Sequence, residues 1–218
     1  MKLASKIACR TEAGRKINLK NRPEYDDLTI GVVAMQGSFA KHAYSMGRLG
    51  IKSRVIREAA DLKLCDALIL PGGESTTMTL LLENEGLWEP LNVALETLPV
   101  FGTCAGAILL GKQIDDPRVH CFEKIDYKAE RNAYGRQIES FTSTLVIPSI
   151  LDHDFHAIFI RAPKFRQISS DVMTLGVFGS DPVLLRQGNV LVASFHPELT
   201  EDSGIHKYFV DEIVLKSR

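Results

Sequence analysis

No stretch of this chain stays apolar for long. Clusters such as Ala67–Leu70 and residues 108–110 fall far short of the roughly 20 residues that a membrane-spanning helix needs. Cysteine is sparse too. Cys9, Cys65, Cys104 and Cys121 are scattered, with no CxxC pair, which argues against a disulfide scaffold or a zinc cluster and suits a reducing compartment. Net charge is almost missing, since 26 Lys and Arg against 27 Asp and Glu leave −1 at pH 7. That balance gives no electrostatic case for nucleic acid or an anionic membrane as partner. There is no internal repeat and no low-complexity segment. What is present is globular: 218 residues, 45% of them hydrophobic, can bury a core without disulfides or structural metals.

Acidic residues are short at one end. Lys2, Lys6, Arg10, Arg15, Lys16, Lys20 and Arg22 face only Glu12 before Pro23. The segment lacks the apolar centre of a secretory signal peptide. Its Arg-rich, acid-poor composition fits an organelle transit peptide, but serine is scarce. The plainer reading of residues 1–27 is a flexible or loosely docked extension, ending in the turn-prone residues 23–27.

From Leu28 onward, strand and helix signals alternate. Residues 28–33 are continuously apolar and rich in β-formers, as expected of a strand buried on both faces. Gln36, Gly37 and Ser38 form a turn, and residues 39–49 read as a helix stopped by Gly50. Lys52–Ile56 and Ala67–Leu70 are the next strands, the latter closed by Pro71, Gly72 and Gly73. Ser75 or Thr76 is the expected cap of a helix reaching about Asn84. Residues 100–102 form a strand that runs straight into a helix at Ala105–Leu110. Residues 142–147 and 157–160 look like strands, and residues 182–186 and 190–195 a hairpin around Gly188. Residues 205–215 form a closing helix. This order predicts an α/β fold with a doubly wound, mostly parallel sheet, helices on both faces and a β-hairpin near the C-terminus.

The sharpest chemical signal is Phe101-Gly102-Thr103-Cys104-Ala105-Gly106. A strand, a tight turn and an immediate helix make a nucleophile elbow with cysteine in place of serine. A helix N-terminus beside the sulfur favours thiolate. A cysteine nucleophile needs a base, and the base an orienting group. His196 and Glu198 follow an apolar strand, with Pro197 between them to stop the ladder. His42, His120, His153, His156 and His206 carry no such signal and read as surface or core histidines. Gly72 and Gly73 free backbone N–H groups at the end of a strand, the need of an oxyanion hole, although Pro-Gly-Gly alone is simply a turn. Glu74 beside them is suited to a substrate ammonium.

Together, Pro71-Gly72-Gly73-Glu74-Ser75, Gly102-Thr103-Cys104-Ala105-Gly106 and His196-Pro197-Glu198 resemble the class I, triad-type glutamine amidotransferases, whose fold is flavodoxin-like. Closer still is the glutaminase subunit of pyridoxal 5′-phosphate synthases. That resemblance is carried by Gln36-Gly37, Gly72-Gly73-Glu74-Ser75-Thr76-Thr77, Arg131-Asn132-Ala133-Tyr134-Gly135-Arg136-Gln137, Phe159-Ile160-Arg161-Ala162-Pro163 and Ser194-Phe195-His196-Pro197-Glu198-Leu199-Thr200. It covers residues 28–218, taken as one amidotransferase domain.

The resemblance implies a role for each matching position. Cys104 attacks the glutamine side-chain amide, His196 protonates the departing ammonia and Glu198 orients His196. Gly73 and Ala105 N–H groups serve the oxyanion, with Gln36 completing that site. Gly73, Glu74, Ser75, Arg131, Ile160 and Arg161 hold the amino-acid end of L-glutamine. It also implies a (β/α)8-barrel synthase subunit as partner in a hetero-oligomeric complex, a cytoplasmic location, and neither a metal nor an organic cofactor. Two departures stand out: Met35 where the family usually has Leu, and a glycine-poor stretch at residues 121–130. The competing readings are another cysteine hydrolase on this scaffold, such as a γ-glutamyl hydrolase, and a non-catalytic binding subunit.

Overall fold

The computed structural model describes residues 22–131, 133 and 140–218. Its elements run α1 (Pro23–Asp26), β1 (Thr29–Val33), α2 (Phe39–Arg48), β2 (Lys52–Ile56), α3 (Ala59–Leu62), β3 (Ala67–Leu70), α4 (Ser75–Asn84) and α5 (Trp88–Ala94). There follow β4 (Val100–Thr103), α6 (Ala105–Leu110), β5 (Gly111–Ile114), β6 (Ile125–Glu130), β7 (Ser140–Leu145), β8 (Phe155–Ile160) and β9 (Lys164–Arg166). The chain ends with β10 (Met173–Phe178), β11 (Asp181–Gln187), β12 (Val190–Ala193) and α7 (Gly204–Phe209).

The main sheet has seven strands in the order β10-β11-β12-β4-β3-β1-β2. β12, β4, β3, β1 and β2 are parallel, and β10 and β11 are antiparallel additions at one edge. Both faces are covered, so the central strands are buried along almost their whole length and largely apolar. In β3, Ala67 and Ile69 enter one core while Leu68 and Leu70 enter the other, all at 0% exposure. That is why alternation is invisible in this segment and a continuous apolar run marks it. The β11–β12 hairpin turns at Gly188, whose φ of +55° suits glycine.

Several expectations need correction. The helix at Ser75 is capped by Glu74, not by Ser75 or Thr76: the Glu74 carboxylate accepts the Thr77 N–H at 2.8 Å. Residues 22–27 are not loose. Tyr25 is buried, and its hydroxyl and Arg22 both hold Asp211, which pins α1 to the C-terminal segment. Residues 1–21 lie outside the described residues. The closing helix changes winding after Phe209, becoming a π-helical segment at Val210–Val214 and a 3-10 turn at Leu215–Ser217. The fold also carries two small sheets beyond the main one, β5-β6-β9 and β7-β8.

The β7–β8 pair is fastened by aromatics. Phe159 stacks on Phe141 at 4.6 Å and touches Phe195, the residue two beyond β12, at 5.5 Å. His196 N–H then donates to Ile158 O at 2.8 Å, so β8 and the loop after β12 are locked together.

A close backbone approach lies between α6 and the sheet. A Cβ built on Gly106 would stand 2.0 Å from Leu70 O, and one on Gly102 2.9 Å from Gly106 C. Neither backbone atom can rotate away. Gly106→Ala should therefore lower unfolding free energy by about 1–3 kcal/mol, read from denaturant midpoints, as overpacking does. An unchanged midpoint would show that α6 can lift off the sheet freely.

Candidate active site

Four loops meet at the carboxyl ends of four adjacent parallel strands. Cys104 follows β4, Gly72 and Gly73 follow β3, His196 lies just beyond β12, and Gln36 follows β1. Ligands of open α/β sheets bind at such edges. The cleft there measures about 690 Å³. Gln36, Gly73, Glu74, Ser75, Cys104, Arg131, Ile160, Arg161 and His196 all line it. Ala105 and Glu198 sit just behind its wall, both buried.

Cys104 occupies a backbone conformation that L residues rarely adopt, with φ 48° and ψ −105°. Strain of this kind costs roughly 1–3 kcal/mol and persists only where neighbours over-determine it. Here the Cys104 N–H donates to Ala193 O at 2.9 Å, and its carbonyl accepts from Ile108 N–H at 3.1 Å. Gly106 N–H reaches back to Pro71 O at 3.1 Å. The elbow is thus bonded to the strand on each side. Ala105 supplies the first N–H of α6, a position with no partner inside the helix.

His196 is fixed from three directions. Its Nδ1 lies 2.8 Å from Glu198 Oε1, its ring and Cys104 Cβ both pack around Gly72, and its main chain is tied to β8. Gly72 packs so tightly on it that an added Cβ would stand 2.4 Å from His196 Cε1 and 3.2 Å from Cys104 Cβ. Burial opposes charge on this imidazole, but Cys104 and Glu198 outweigh it and push the pKa up to about 10. Glu198 is fully buried. Burial favours its neutral form, yet the histidines beside it and the Ser38 hydroxyl, 2.5 Å from Oε1, hold it down to about 2. Cys104 Sγ also lies 3.7 Å from Ile160 O, at the end of β8.

The other wall of the cleft is built on charge. Arg131 reaches Glu74 Oε1 and Asp116 Oδ2, each at 2.6 Å, and Asp116 is gripped bidentately by Arg118. Glu74 stays ionised, down to about 2: some burial opposes this, and hydrogen bonds from Thr76 and Thr77 outweigh it. Ser75 Oγ, on the cleft, is buried with no hydrogen-bond partner among the described residues. Gln36 Oε1 accepts the Glu74 N–H at 3.0 Å, joining the first loop to the third. Arg161 lines the cleft from a left-handed backbone position, φ 44°. Within the 131–137 motif, Asn132 and residues 134–137 lie outside the described residues.

Comparison with known proteins agrees with this geometry. The model of the SNO glutamine amidotransferase family matches residues 32–215. The chain belongs to that family. A relative from Thermosipho africanus, a pyridoxal 5′-phosphate synthase subunit PdxT, is 46% identical over 85% of this chain and 99% of its own. The PdxT of Thermus thermophilus is 46% identical over 84% and 96% respectively. A crystal structure of a glutamine amidotransferase superposes with a TM-score of 0.79 at 44% identity, covering 85% of this chain and 98% of the other. A GMP synthase subunit from Thermoplasma acidophilum, at 15% identity and a TM-score of 0.63, shares the fold.

Sequence reasoning missed several groups that this SNO-family site uses. Ser38 and His42 contact Glu198, and Thr103 receives the Gly72 N–H at 3.0 Å. Asp116 was missed because nothing in a run of surface charges distinguishes the one that holds Arg131. The signal available for His42 was its place on the apolar face of α2 with Ser45 and Met46, all buried.

The His196 pairing predicts a pH response. In a titration of the His196 ring by NMR, the wild-type midpoint should lie far on the alkaline side, near the value of about 10. Glu198→Gln removes an anionic partner from a raised imidazolium, so its midpoint should drop by at least about one unit. Identical midpoints near the ordinary imidazole value would contradict the pairing.

Proposed function

We propose that this chain hydrolyses L-glutamine to L-glutamate and ammonia, as the glutaminase subunit of a pyridoxal 5′-phosphate synthase. The observation that carries this reading is the convergence of Cys104, the His196–Glu198 pair and a Glu74–Arg131 ion pair on one cleft. Residues 28–218 are the amidotransferase domain in this reading, which the family match over 32–215 supports.

The chemistry follows from the groups. Cys104 thiolate adds to the side-chain amide carbon, and the oxygen gains charge beside the Gly73 and Ala105 N–H groups, with Gln36 next to them. The C–N bond then breaks. His196 gives its proton to the leaving nitrogen, which departs as ammonia, and a γ-glutamyl thioester remains. Water attacks the thioester with His196 as base. The C–S bond breaks with its electron pair on sulfur, glutamate leaves, and the thiolate–imidazolium pair is restored. Glu198 stays ionised throughout and keeps the His196 ring aligned.

Glutamine is a zwitterion at its other end. Its α-carboxylate matches Arg131, with Arg161 nearby, and its α-ammonium matches Glu74, so substrate replaces the Glu74–Arg131 bridge by two like it. Ser75 Oγ and the Ile160 main chain supply polar contacts on either side. Asp116 keeps Arg131 in place during this exchange. The partner we assign is a (β/α)8-barrel synthase in a hetero-oligomeric complex that takes up the ammonia before water protonates it. Names of the PdxT relatives support a synthase partner. The glutaminase chemistry itself calls on no metal and no organic cofactor. Among the described residues no helix is long and apolar enough to cross a membrane. The location that belongs to this reading is the cytoplasm, whose reducing conditions suit scattered thiols.

Ammonia release from glutamine, measured with and without the synthase subunit, tests the reading. Wild-type release should rise when synthase is added, and Cys104→Ala should reduce it by roughly 10³-fold or more under both conditions. Full activity of that variant would remove Cys104 from the mechanism. Asp116→Asn should raise KM for glutamine by roughly 3- to 30-fold, with kcat within about twofold, because only positioning of Arg131 is lost. A change in kcat alone would place Asp116 elsewhere in the mechanism.

A further inference from the structure

Behind Glu198, on the side away from the cleft, lies a polar cluster that the steps above leave unused. His42 of α2, Thr103 at the end of β4 and His206 of α7 are all at 0% exposure. His42 Nε2 stands 3.1 Å from Thr103 Oγ1 and 3.4 Å from Glu198 Oε2. Its Nδ1 is 3.0 Å from His206 Nε2. Thr103 Oγ1 accepts the Gly72 N–H at 3.0 Å. Among the described residues, Glu198 Oε2 and His206 Nδ1 have no hydrogen-bond partner. Phe101 packs edge-on against both imidazoles and seals the cluster from below.

Burial keeps both rings neutral: it draws His42 below the ordinary imidazole value and takes His206 down to about 3. A neutral ring has one N–H, so the placement of two protons decides the network. With the proton on His42 Nδ1, the lone pair of Nε2 would face an ionised carboxylate oxygen. His206 would then carry its proton on Nδ1, a buried donor without an acceptor, which costs about 1–3 kcal/mol. With the proton on His42 Nε2, that N–H donates to Thr103 Oγ1 and places its positive end 3.4 Å from Glu198 Oε2, an electrostatic contact rather than a hydrogen bond, and His206 donates Nε2–H to His42 Nδ1. A lone pair on His206 and the Thr103 hydroxyl proton are then left over, so each arrangement leaves one buried donor to place. The ionised Glu198 decides between them: it faces an N–H here and a lone pair in the other. The second arrangement is the stable one.

We propose that His42 is a positioning residue for glutamine hydrolysis, its Nε2–H joining the outer oxygen of Glu198 to Thr103 and, through Thr103, to the Gly72 loop. The two halves of the site come from opposite sides of β4: the orienting carboxylate after β12 and the oxyanion loop after β3. His42 bridges them under the nucleophile, so that the carboxylate which aligns His196 and the glycine which packs on His196 move as one unit. The inference rests on the glutaminase reading for its catalytic consequence. The hydrogen-bond arrangement does not depend on that reading.

The test combines three readouts on the full chain. First, ¹⁵N–¹H correlation spectra of wild-type imidazoles should show His42 neutral and protonated on Nε2; a proton on Nδ1 overturns the proposal, even if every variant fails to fold. Second, His42→Leu, which keeps bulk but removes the donor, should lower kcat for ammonia release by roughly tenfold or more while KM stays within about twofold. His42→Gln, which restores an N–H, should recover most of that loss, whereas a merely space-filling role would favour the leucine. Third, alkylation of Cys104 by iodoacetamide needs no glutamine and should slow in His42→Leu in step with kcat, because a misaligned His196 stabilises less thiolate. A folded His42→Leu protein with wild-type kcat and alkylation rate overturns the proposal. If the wild type releases no ammonia, the glutaminase reading fails, and the spectra and alkylation still decide the role of His42.

Discussion

One backbone constraint organises this molecule: Cys104 must sit at positive φ between a strand and a helix that nearly touch. Everything around it serves that geometry. Gly106 lies where any side chain would strike the Leu70 carbonyl, and Gly102 where it would strike Gly106. Bonds from Cys104 to β12 and from Gly106 to the end of β3 hold the turn from both sides. The apolar strands beneath provide rigidity, since their side chains fill a core on each face. Strain is affordable at one residue because the packing of many determines it.

The second organising element is a buried anion. Glu198 carries its charge at 1% exposure, a placement that needs compensation. Compensation comes from His196 on one oxygen, reinforced by the Ser38 hydroxyl, and from the direction of His42 on the other. Together with Cys104, the same charge that is costly to bury keeps His196 protonated well above its ordinary range. Folding and chemistry therefore meet in one carboxylate. On the opposite wall, Asp116, Arg118, Arg131 and Glu74 form a more exposed chain of charges, where solvent screening weakens each pair and geometry matters more than energy.

Much of this was legible in the sequence where physics leaves a local mark. Ala67–Leu70 was placed to the residue, because a strand buried on both faces is a continuous apolar run and Pro71, Gly72 and Gly73 close it. Lys52–Ile56 was also placed to the residue, though it is a mostly exposed edge strand, and the start of the helix at Ala105 was read from the turn before it. The loops bearing Cys104, His196 and the Pro-Gly-Gly turn were readable for the same reason. Where marks are weak, reading failed. Strands β5 to β9 form two small sheets and are half exposed, and only some of them were seen. Hydroxyl residues are the commoner N-caps, so the sequence points to Ser75 or Thr76 as the cap of α4, while the Glu74 carboxylate caps it and holds Arg131 as well. His42 and His206 passed as bland histidines, since contact between helices distant in sequence leaves no local pattern.

The central claim is that Cys104 is a nucleophile aimed at the side-chain carbonyl of an α-amino acid. Intact-protein and peptide mass spectrometry after exposure to a glutamine analogue with a chloroketone in place of its amide tests this most directly. The account predicts a single adduct, on Cys104 and not on Cys9, Cys65 or Cys121, whose formation L-glutamine suppresses. Labelling spread over all the cysteines, or labelling of Cys104 that glutamine does not slow, would contradict it.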